Sequence, residues 1–200
     1  MSIYALKPRF QALLRPITAG LARAGVTANQ VTLAACVVSL AIAMFVAWNA
    51  NARWPFLLVP AWMFLRMAFN AIDGMLAREF GQQSRLGAYL NELTDVVSDA
   101  ALYLPFALVA PFSPWSVGAV VLLAAISEYA GVLGLMVGAT RRYDGPMGKS
   151  DRAFVFGALG LWIGLVPALP AWANYLMMAV AVALVATIVN RVRRGLDEAK

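Results

Sequence analysis

The sequence has no histidine and a single cysteine, Cys36, among its 200 residues. A disulfide bond within one chain is therefore excluded, and metal sites built from imidazole or thiolate ligands are disfavoured. Any metal ion bound by this protein must be held by oxygen atoms, which favours Mg²⁺, Mn²⁺ or Ca²⁺.

Charged residues are also scarce, at 13% of the chain, whereas 62% of the residues are hydrophobic. With a mean hydropathy of +0.73, this composition excludes an ordinary soluble domain. Apolar runs of roughly 20 residues, the length that crosses a bilayer, recur along the chain. We predict an all-α integral membrane protein with six transmembrane helices, at about 31–50, 54–73, 87–109, 115–138, 153–169 and 172–190.

These spans leave no room for a separate soluble domain. We therefore predict one membrane domain over residues 1–200, with an interfacial segment at 1–30 and a six-helix bundle at 31–190. Within the first segment, residues 3–23 alternate apolar and basic positions at helical spacing. That pattern is typical of an amphipathic helix that lies on the membrane surface and contacts anionic lipid headgroups.

The basic residues are distributed asymmetrically about the predicted spans. All of the 16 Lys and Arg residues except Arg53 and Arg66 fall on one side of a six-span arrangement. By the positive-inside rule, we expect both termini and the polar loops at 74–86 and 140–152 to be cytoplasmic, in a bacterial-type inner membrane. Nucleic-acid binding would also give a basic chain, but here the charge follows the topology, so we expect no nucleic-acid partner.

Residues 70–99, NAIDGMLAREFGQQSRLGAYLNELTDVVSD, form an unusually polar window. Because charges inside membrane spans are costly, each is a candidate for function. Asn70 and Asp73 share a helix face with Arg66, and Asn91 and Asp95 share another with Asp99. If the two helices are neighbours, their polar faces can meet. Glu128, in the fourth span, would then pair with Arg66 or face the same cavity.

A cage of carboxylate and amide oxygens suits a divalent cation bound to phosphate groups. A buried ion network, in which Arg66 or Arg78 neutralises the acids, explains the spacing equally well. A small ion or solute transporter would also use intramembrane acids, but these acids lie near one membrane surface beside a basic loop.

The fixed gaps of this window provide a more specific signal. The stretch from Asn70 to Asp95 resembles the signature of the CDP-alcohol phosphotransferase family, D-x-x-D-G-x-x-A-R-x8-G-x-x-x-D-x-x-x-D. Every fixed position matches, including the eight-residue gap between Arg78 and Gly87, except that asparagine replaces the first and third acids. The GVTANQVT entry to the first span and the six-span pattern extend the resemblance over most of the chain.

The resemblance implies an integral membrane enzyme that passes a phosphatidyl group from CDP-diacylglycerol to an alcohol or phospho-alcohol and releases CMP, in phospholipid synthesis. It implies one or two Mg²⁺ or Mn²⁺ ions, a homodimer, and Asp95 as the base that deprotonates the acceptor. The metal shell would comprise Asn70, Asp73, Asn91 and Asp95. The CDP moiety would be held by Asp73, Gly74, Ala77 and Arg78, with Asn29 and Thr32 as further candidates.

The two asparagines remove up to two negative charges from the implied metal shell, and three interpretations follow. The site could bind one metal ion instead of two, together with the donor diphosphate. Glu92 and Asp99 could supply the missing charge as auxiliary acids. Alternatively, the protein could be a catalytically silent lipid- or nucleotide-binding protein. Because Asp73, Arg78 and Asp95 are retained, we expect an active transferase.

The polar segment TRRYDGPMGKSDRA at 140–153 is the candidate acceptor site. Basic side chains and free backbone N–H groups at the start of a helix would suit a phosphorylated acceptor. The positive-inside rule alone also accounts for basic residues here. The predicted acceptor-binding residues are Arg142, Lys149, Ser150 and Arg152, with Arg141 as a further member of the basic group.

Overall fold

The structure, a computed structural model, describes residues 6–199, with side chains described from residue 10 onward. Residues 3–5 of the predicted interfacial helix lie outside the described residues. Within the described part the protein is helical and contains no β-strand. Its seven helices are α1 (Leu6–Arg23), α2 (Ala28–Trp48), α3 (Leu58–Glu79), α4 (Arg85–Tyr103), α5 (Pro114–Leu133), α6 (Lys149–Leu165) and α7 (Asn174–Glu198).

Four helical segments among the described residues are long and apolar enough to cross a membrane. They are Ala28–Trp48, Trp54–Glu79, Pro114–Val137 and Ala171–Glu198, three of which join an α-helix to a short 3-10 turn. Helices α4 and α6 have 19 and 17 residues and carry charged side chains. The prediction of an all-α protein with several membrane-spanning helices is confirmed, and the count of six spans stays a prediction.

Local sequence signals explain where several helices begin. The Thr27 hydroxyl accepts a hydrogen bond from Gln30 N, and the Gln30 side chain accepts one from Thr27 N, which is a capping box at the start of α2. Ser84 Oγ accepts a hydrogen bond from Gly87 N at 2.9 Å and caps α4. At the start of α6, the Asp151 carboxylate accepts from Gly148 N at 2.9 Å.

The helices pack around α2 and α5. Helix α2 lies against both α3 and α4, α5 lies against α4 and α7, and α3 also contacts α1 and α6. A buried aromatic cluster joins these layers: the rings of Tyr103 and Phe156 stack with centroids 3.8 Å apart, and Phe106 meets Phe156 edge to face. The centre of the bundle is therefore apolar and rigid, as close packing requires.

The polar loops meet at one end of the bundle. Gln82, between α3 and α4, accepts a hydrogen bond from Ala28 N at 2.7 Å and donates one to Val26 O at 3.3 Å. Nearby, Arg15 of α1 forms an ion pair with Glu79 at the end of α3. These contacts fix the α3–α4 loop beside the α1–α2 turn, next to the polar window predicted to carry the site.

Candidate functional site

Asp73 is the buried acid on α3, with only 4% of its surface exposed. Its Oδ2 accepts a hydrogen bond of 2.8 Å from the Thr32 hydroxyl, which reaches across from the first turns of α2. Two residues predicted separately for the nucleotide site are therefore in direct contact. Asp73 also interacts electrostatically with Asp95 and Lys149, so it lies near the acid on α4.

Asp95, the second acid, is bound by cations from two other helices. Arg66 of α3 lies 3.0 Å from its Oδ1, and Lys149, the first residue of α6, forms an ion pair with its Oδ2. Helices α3 and α4 pack mainly on α2, so Arg66 is the side chain that bridges their polar faces. The side chain of Asp95 stays 20% exposed, so a ligand can still reach it.

Asn70 and Asn91 each precede one of these acids by about one helical turn, which places them on the same two faces. Both are half-buried, and neither side chain forms a hydrogen bond with another residue in the part of the chain that the structure describes. Two amides without partners beside two carboxylates are consistent with a set of oxygen atoms available to a ligand.

The two glycines of the signature lie against the ends of neighbouring polar side chains, which a methyl group would displace. A Cβ built on Gly74 would lie 2.6 Å from Nη2 of Arg78, so the guanidinium of Arg78 lies over Gly74. A Cβ built on Gly87 would lie 2.8 Å from Oδ1 of Asn29. Ala77 is half-buried in the same turn as Arg78. The structure thus brings the predicted nucleotide residues to one end of α2, α3 and α4.

A buried ion network continues from Asp95 into the bundle. Asp99, one turn further along α4, forms ion pairs with Arg66 and with Arg152, the latter at 3.1 Å. Arg152 is 1% exposed and also contacts Glu128 at 2.9 Å. Because Arg66 pairs with Asp95 and Asp99, the alternative that placed Glu128 on Arg66 is wrong.

Glu128 instead contacts arginines from three parts of the chain. Besides Arg152, these are Arg141 at 3.2 Å and Arg191 of α7 at 3.4 Å. Arg141 also pairs with Glu92 at 2.6 Å. Burial acts to lower the pKa of Arg141, but the Glu92 carboxylate and a hydrogen bond with Tyr143 together outweigh burial, and the pKa of Arg141 is raised. These contacts stabilise the charged form of Arg141.

The four predicted acceptor residues lie in different surroundings. Lys149 and Arg152 both belong to the network around Asp95 and Asp99. Ser150 is exposed and makes no hydrogen bond in the described part of the chain. Arg142 pairs with Asp144 and Glu198. It borders a separate open cavity of about 580 Å³, which is lined by Arg142, Asn190, Arg193, Arg194, Asp197 and Glu198.

Arg191 is the main site residue that the sequence analysis missed. It was grouped with the basic residues that set membrane topology, yet it is 2% exposed and bound to Glu128. A signal was present, because an acid such as Glu128 inside an apolar span requires cationic partners. The sequence pattern does not state which of the many arginines supplies them.

The described residues contain no group of three or more Asp, Glu, His or Cys side chains suited to a metal ion. The oxygen donors at the signature positions are instead two carboxylates, Asp73 and Asp95, and two amides, Asn70 and Asn91. Such oxygens fit a hard divalent cation, and two carboxylates balance the charge of one such ion. Asp73 strengthens this fit, because it forms no ion pair within the part of the chain that the structure describes.

Fold and site together define a helical membrane protein with a group of acidic and amide side chains towards one end of its bundle. The sequence profile of the CDP-alcohol phosphatidyltransferase family matches residues 25–189, so the chain belongs to that family. It is 46% identical to the inner membrane protein YnbA of Escherichia coli K12, over 96% of each chain. The predicted family is confirmed, and one relative is an inner membrane protein.

More distant relatives include the phosphatidylinositol phosphate synthase of Streptomyces avermitilis, which is 32% identical over 50% of this chain and 39% of its own. The crystal structure of the Mycobacterium tuberculosis phosphatidylinositol phosphate synthase with CDP-DAG bound matches with a TM-score of 0.75. That match has 24% identity and covers 90% of this chain and 92% of the other. It shows the fold, and no comparison supports a catalytically silent protein.

Proposed function

We propose that this protein transfers a phosphatidyl group from CDP-diacylglycerol to the hydroxyl group of an alcohol and releases CMP. The observation that supports the proposal is the position of the Arg78 guanidinium over Gly74, next to Asp73, whose carboxylate interacts with that of Asp95, in a chain that belongs to the CDP-alcohol phosphatidyltransferase family. The buried, polar cleft between α3 and α4 would hold the donor's diphosphate.

Residues of α2 and α3 would hold the nucleotide part of the donor. Arg78 lies over Gly74, so its guanidinium can contact phosphate oxygens near the backbone. Asn29 and Thr32 lie on the facing turns of α2, and Thr32 fixes the orientation of the Asp73 carboxylate. Ala77 leaves space beside Arg78 for a bulky group.

Asp95 would act as the base. In the transfer, the acceptor oxygen forms a bond to the lipid-side phosphorus, the bond from that phosphorus to the CMP oxygen breaks, and the acceptor proton passes to Asp95. Lys149 and Arg66 orient the Asp95 carboxylate from α6 and α3. Each carboxylate oxygen has two lone-pair positions, so these ion pairs leave Asp95 able to accept a proton.

We also propose a divalent cation, Mg²⁺ or Mn²⁺, held by Asp73 and Asp95 with the amide oxygens of Asn70 and Asn91. When bound, such an ion neutralises the charge that develops on the diphosphate. Support comes from the oxygen donor set and from the structural neighbour of Mycobacterium tuberculosis, whose crystals contain manganese and citrate. Glu92 and Asp99 are engaged by arginines, which argues for one ion rather than two.

For the membrane arrangement, we propose six crossings, with α1 as an interfacial helix and with both termini and the site on the cytoplasmic side. The distribution of basic residues supports this arrangement, since Arg78 and Arg85 flank the α3–α4 loop and Arg141 and Arg142 lie in the α5–α6 loop. Side chains of α1 support the interfacial role: Leu13 and Ile17 are exposed apolar residues on a helix that also carries Arg15. A homodimer remains an expectation from the family.

The test is a transfer assay with purified protein, radiolabelled CDP-diacylglycerol, Mg²⁺ or Mn²⁺, and a panel of alcohols and phospho-alcohols. We expect CMP release and a labelled lipid product that depend on both the acceptor and the divalent ion. Donor binding without CMP release, under every combination of ion and acceptor, would contradict the proposed activity.

A further inference from the structure

Glu128 fills the centre of a basic cluster, which we define as Arg141, Arg152 and Arg191. Its Oε1 is bound by Arg152, and its Oε2 is bound by Arg141 and Arg191. Glu128 is 6% exposed. Three guanidinium groups that converge in this way are the usual means of binding a phosphate. Here a carboxylate of the protein itself occupies that position.

Each cation of this buried network already has an acid of the protein as its partner. Five cations form ion pairs with four acids. The cations are Arg66, Arg141, Lys149, Arg152 and Arg191, and the acids are Glu92, Asp95, Asp99 and Glu128. An anionic acceptor would therefore have to compete with these carboxylates for each cation.

The cavity that borders Arg152 and Glu128 is small. It has a volume of about 10 Å³ and is also bordered by Asp99. That volume is close to the smallest that can hold one water molecule. A phosphate could reach the three arginines only by displacing Glu128, and this would leave a buried carboxylate without its cations, which is strongly destabilising.

We infer that the acceptor is an alcohol without a phosphate group, such as a free polyol, and that Glu128 determines this selectivity. The inference rests on the proposed transferase function and narrows its acceptor class. The reaction needs only a hydroxyl group, whose oxygen bonds to the lipid-side phosphorus while CMP leaves and Asp95 takes the proton. The carboxylate of Glu92, whose side chain is 32% exposed, can accept hydrogen bonds from the other hydroxyls of such an acceptor.

The experiment compares matched acceptors on the full-length protein. CMP release is measured with glycerol against glycerol 3-phosphate, and with inositol against inositol 1-phosphate. In parallel, thermal shift of the protein loaded with CDP-diacylglycerol and Mn²⁺ reports glycerol 3-phosphate binding without turnover. For the wild type we expect kcat/KM at least about tenfold higher with the free alcohols, and no thermal shift with glycerol 3-phosphate.

Glu128→Gln removes one negative charge from the basic cluster and keeps the side-chain volume. We expect this variant to bind glycerol 3-phosphate and to shift its preference towards phosphorylated acceptors by about tenfold or more. Glu92→Gln removes the half-buried partner of Arg141 and should shift the acceptor preference in the same direction by a smaller factor. This second variant still tests the inference if Glu128→Gln does not fold. Glu79→Gln, whose ion pair with Arg15 is exposed, is the matched control and should keep the wild-type preference.

Preferential use or binding of the phosphorylated acceptors by the wild type would overturn the inference. If Glu128→Gln and Glu92→Gln both keep the acceptor preference of the wild type, the role of Glu128 is overturned. If no acceptor supports CMP release, the proposed function fails, and the binding measurement still decides the selectivity: a thermal shift with glycerol 3-phosphate in Glu128→Gln but not in the wild type supports it.

Discussion

Lys149 and Asp95 form an ion pair that joins the first residue of α6 to the middle of α4. The contact connects the basic loop before α6 to the acidic signature on α3 and α4. With Arg66 on the other oxygen of Asp95, it fixes the proposed base from two sides. The proposed base is therefore in direct contact with the segment assigned to the acceptor, although Asp95 and Lys149 are 54 residues apart in sequence.

Replacing the proposed base tests the chemistry directly. We expect Asp95→Asn to lower CMP release by about 10²- to 10⁴-fold, the usual contribution of a general base, while CDP-diacylglycerol binding is largely kept. Asp144→Asn makes the same chemical change in an ion-paired acid of the α5–α6 loop and should retain activity. Normal turnover by Asp95→Asn would show that another group takes the proton.

The glycine of the Asp-Gly pair should be required for donor binding rather than for folding. A methyl group at Gly74 would displace the guanidinium of Arg78, and losing one charge-assisted hydrogen bond costs about 1.5–3 kcal/mol. We expect Gly74→Ala to raise the KM for CDP-diacylglycerol by roughly tenfold or more, without lowering the melting temperature. Gly118→Ala, where a Cβ meets open space, is the matched control. Equal KM values for the two variants would argue against a role of Arg78 in donor binding.

Much of the site could be predicted because helical spacing places its residues on common faces. Arg78 lies over Gly74, and Thr32 contacts Asp73, as the predicted shared nucleotide site would require. Spacing along one helix does not reveal which helices are neighbours, however. Helices α3 and α4 share α2 as their packing partner, so their polar faces are bridged by a side chain rather than pressed together.

The basic residues show the limit of sequence reasoning more sharply. Arg142 and Arg152 are predicted to bind the acceptor, and Arg191 follows the pattern of topology-setting positive charge. Arg152 and Arg191 are instead buried in one ion network, and Arg142 lies in another cluster. The difference arises from long-range ion pairs with acids on α4 and α5. Such pairs depend on tertiary packing, which the local pattern of charges does not encode.

Arg152 should be important for stability as well as for the site. Arg152→Met leaves the buried carboxylates of Asp99 and Glu128 without one of their cations, and breaking a buried pair in this way costs about 3–5 kcal/mol. We expect a clearly lower melting temperature in detergent, measured by intrinsic fluorescence. Arg194→Met removes a surface pair with Asp144, worth at most about 1 kcal/mol, and serves as the control. Adding Glu128→Gln to Arg152→Met should restore part of the loss; strictly additive losses would contradict the coupling.

The two asparagines of the signature determine how strongly the cleft attracts a metal ion. The side chains of Asn70 and Asn91 form no hydrogen bond with another described residue, and they lie about one turn from Asp73 and Asp95. Asn70→Asp and Asn91→Asp each add a carboxylate, so we expect each to lower the Kd for Mn²⁺ by about tenfold or more, equivalent to about 1.4 kcal/mol. Electron paramagnetic resonance of free Mn²⁺ measures the Kd without turnover.

Asn190→Asp, on the exposed end of α7, adds the same charge elsewhere and should leave the Kd for Mn²⁺ unchanged. If neither signature variant binds Mn²⁺ more tightly than Asn190→Asp does, then neither side chain contacts the ion, and Asp73 and Asp95 alone would hold it.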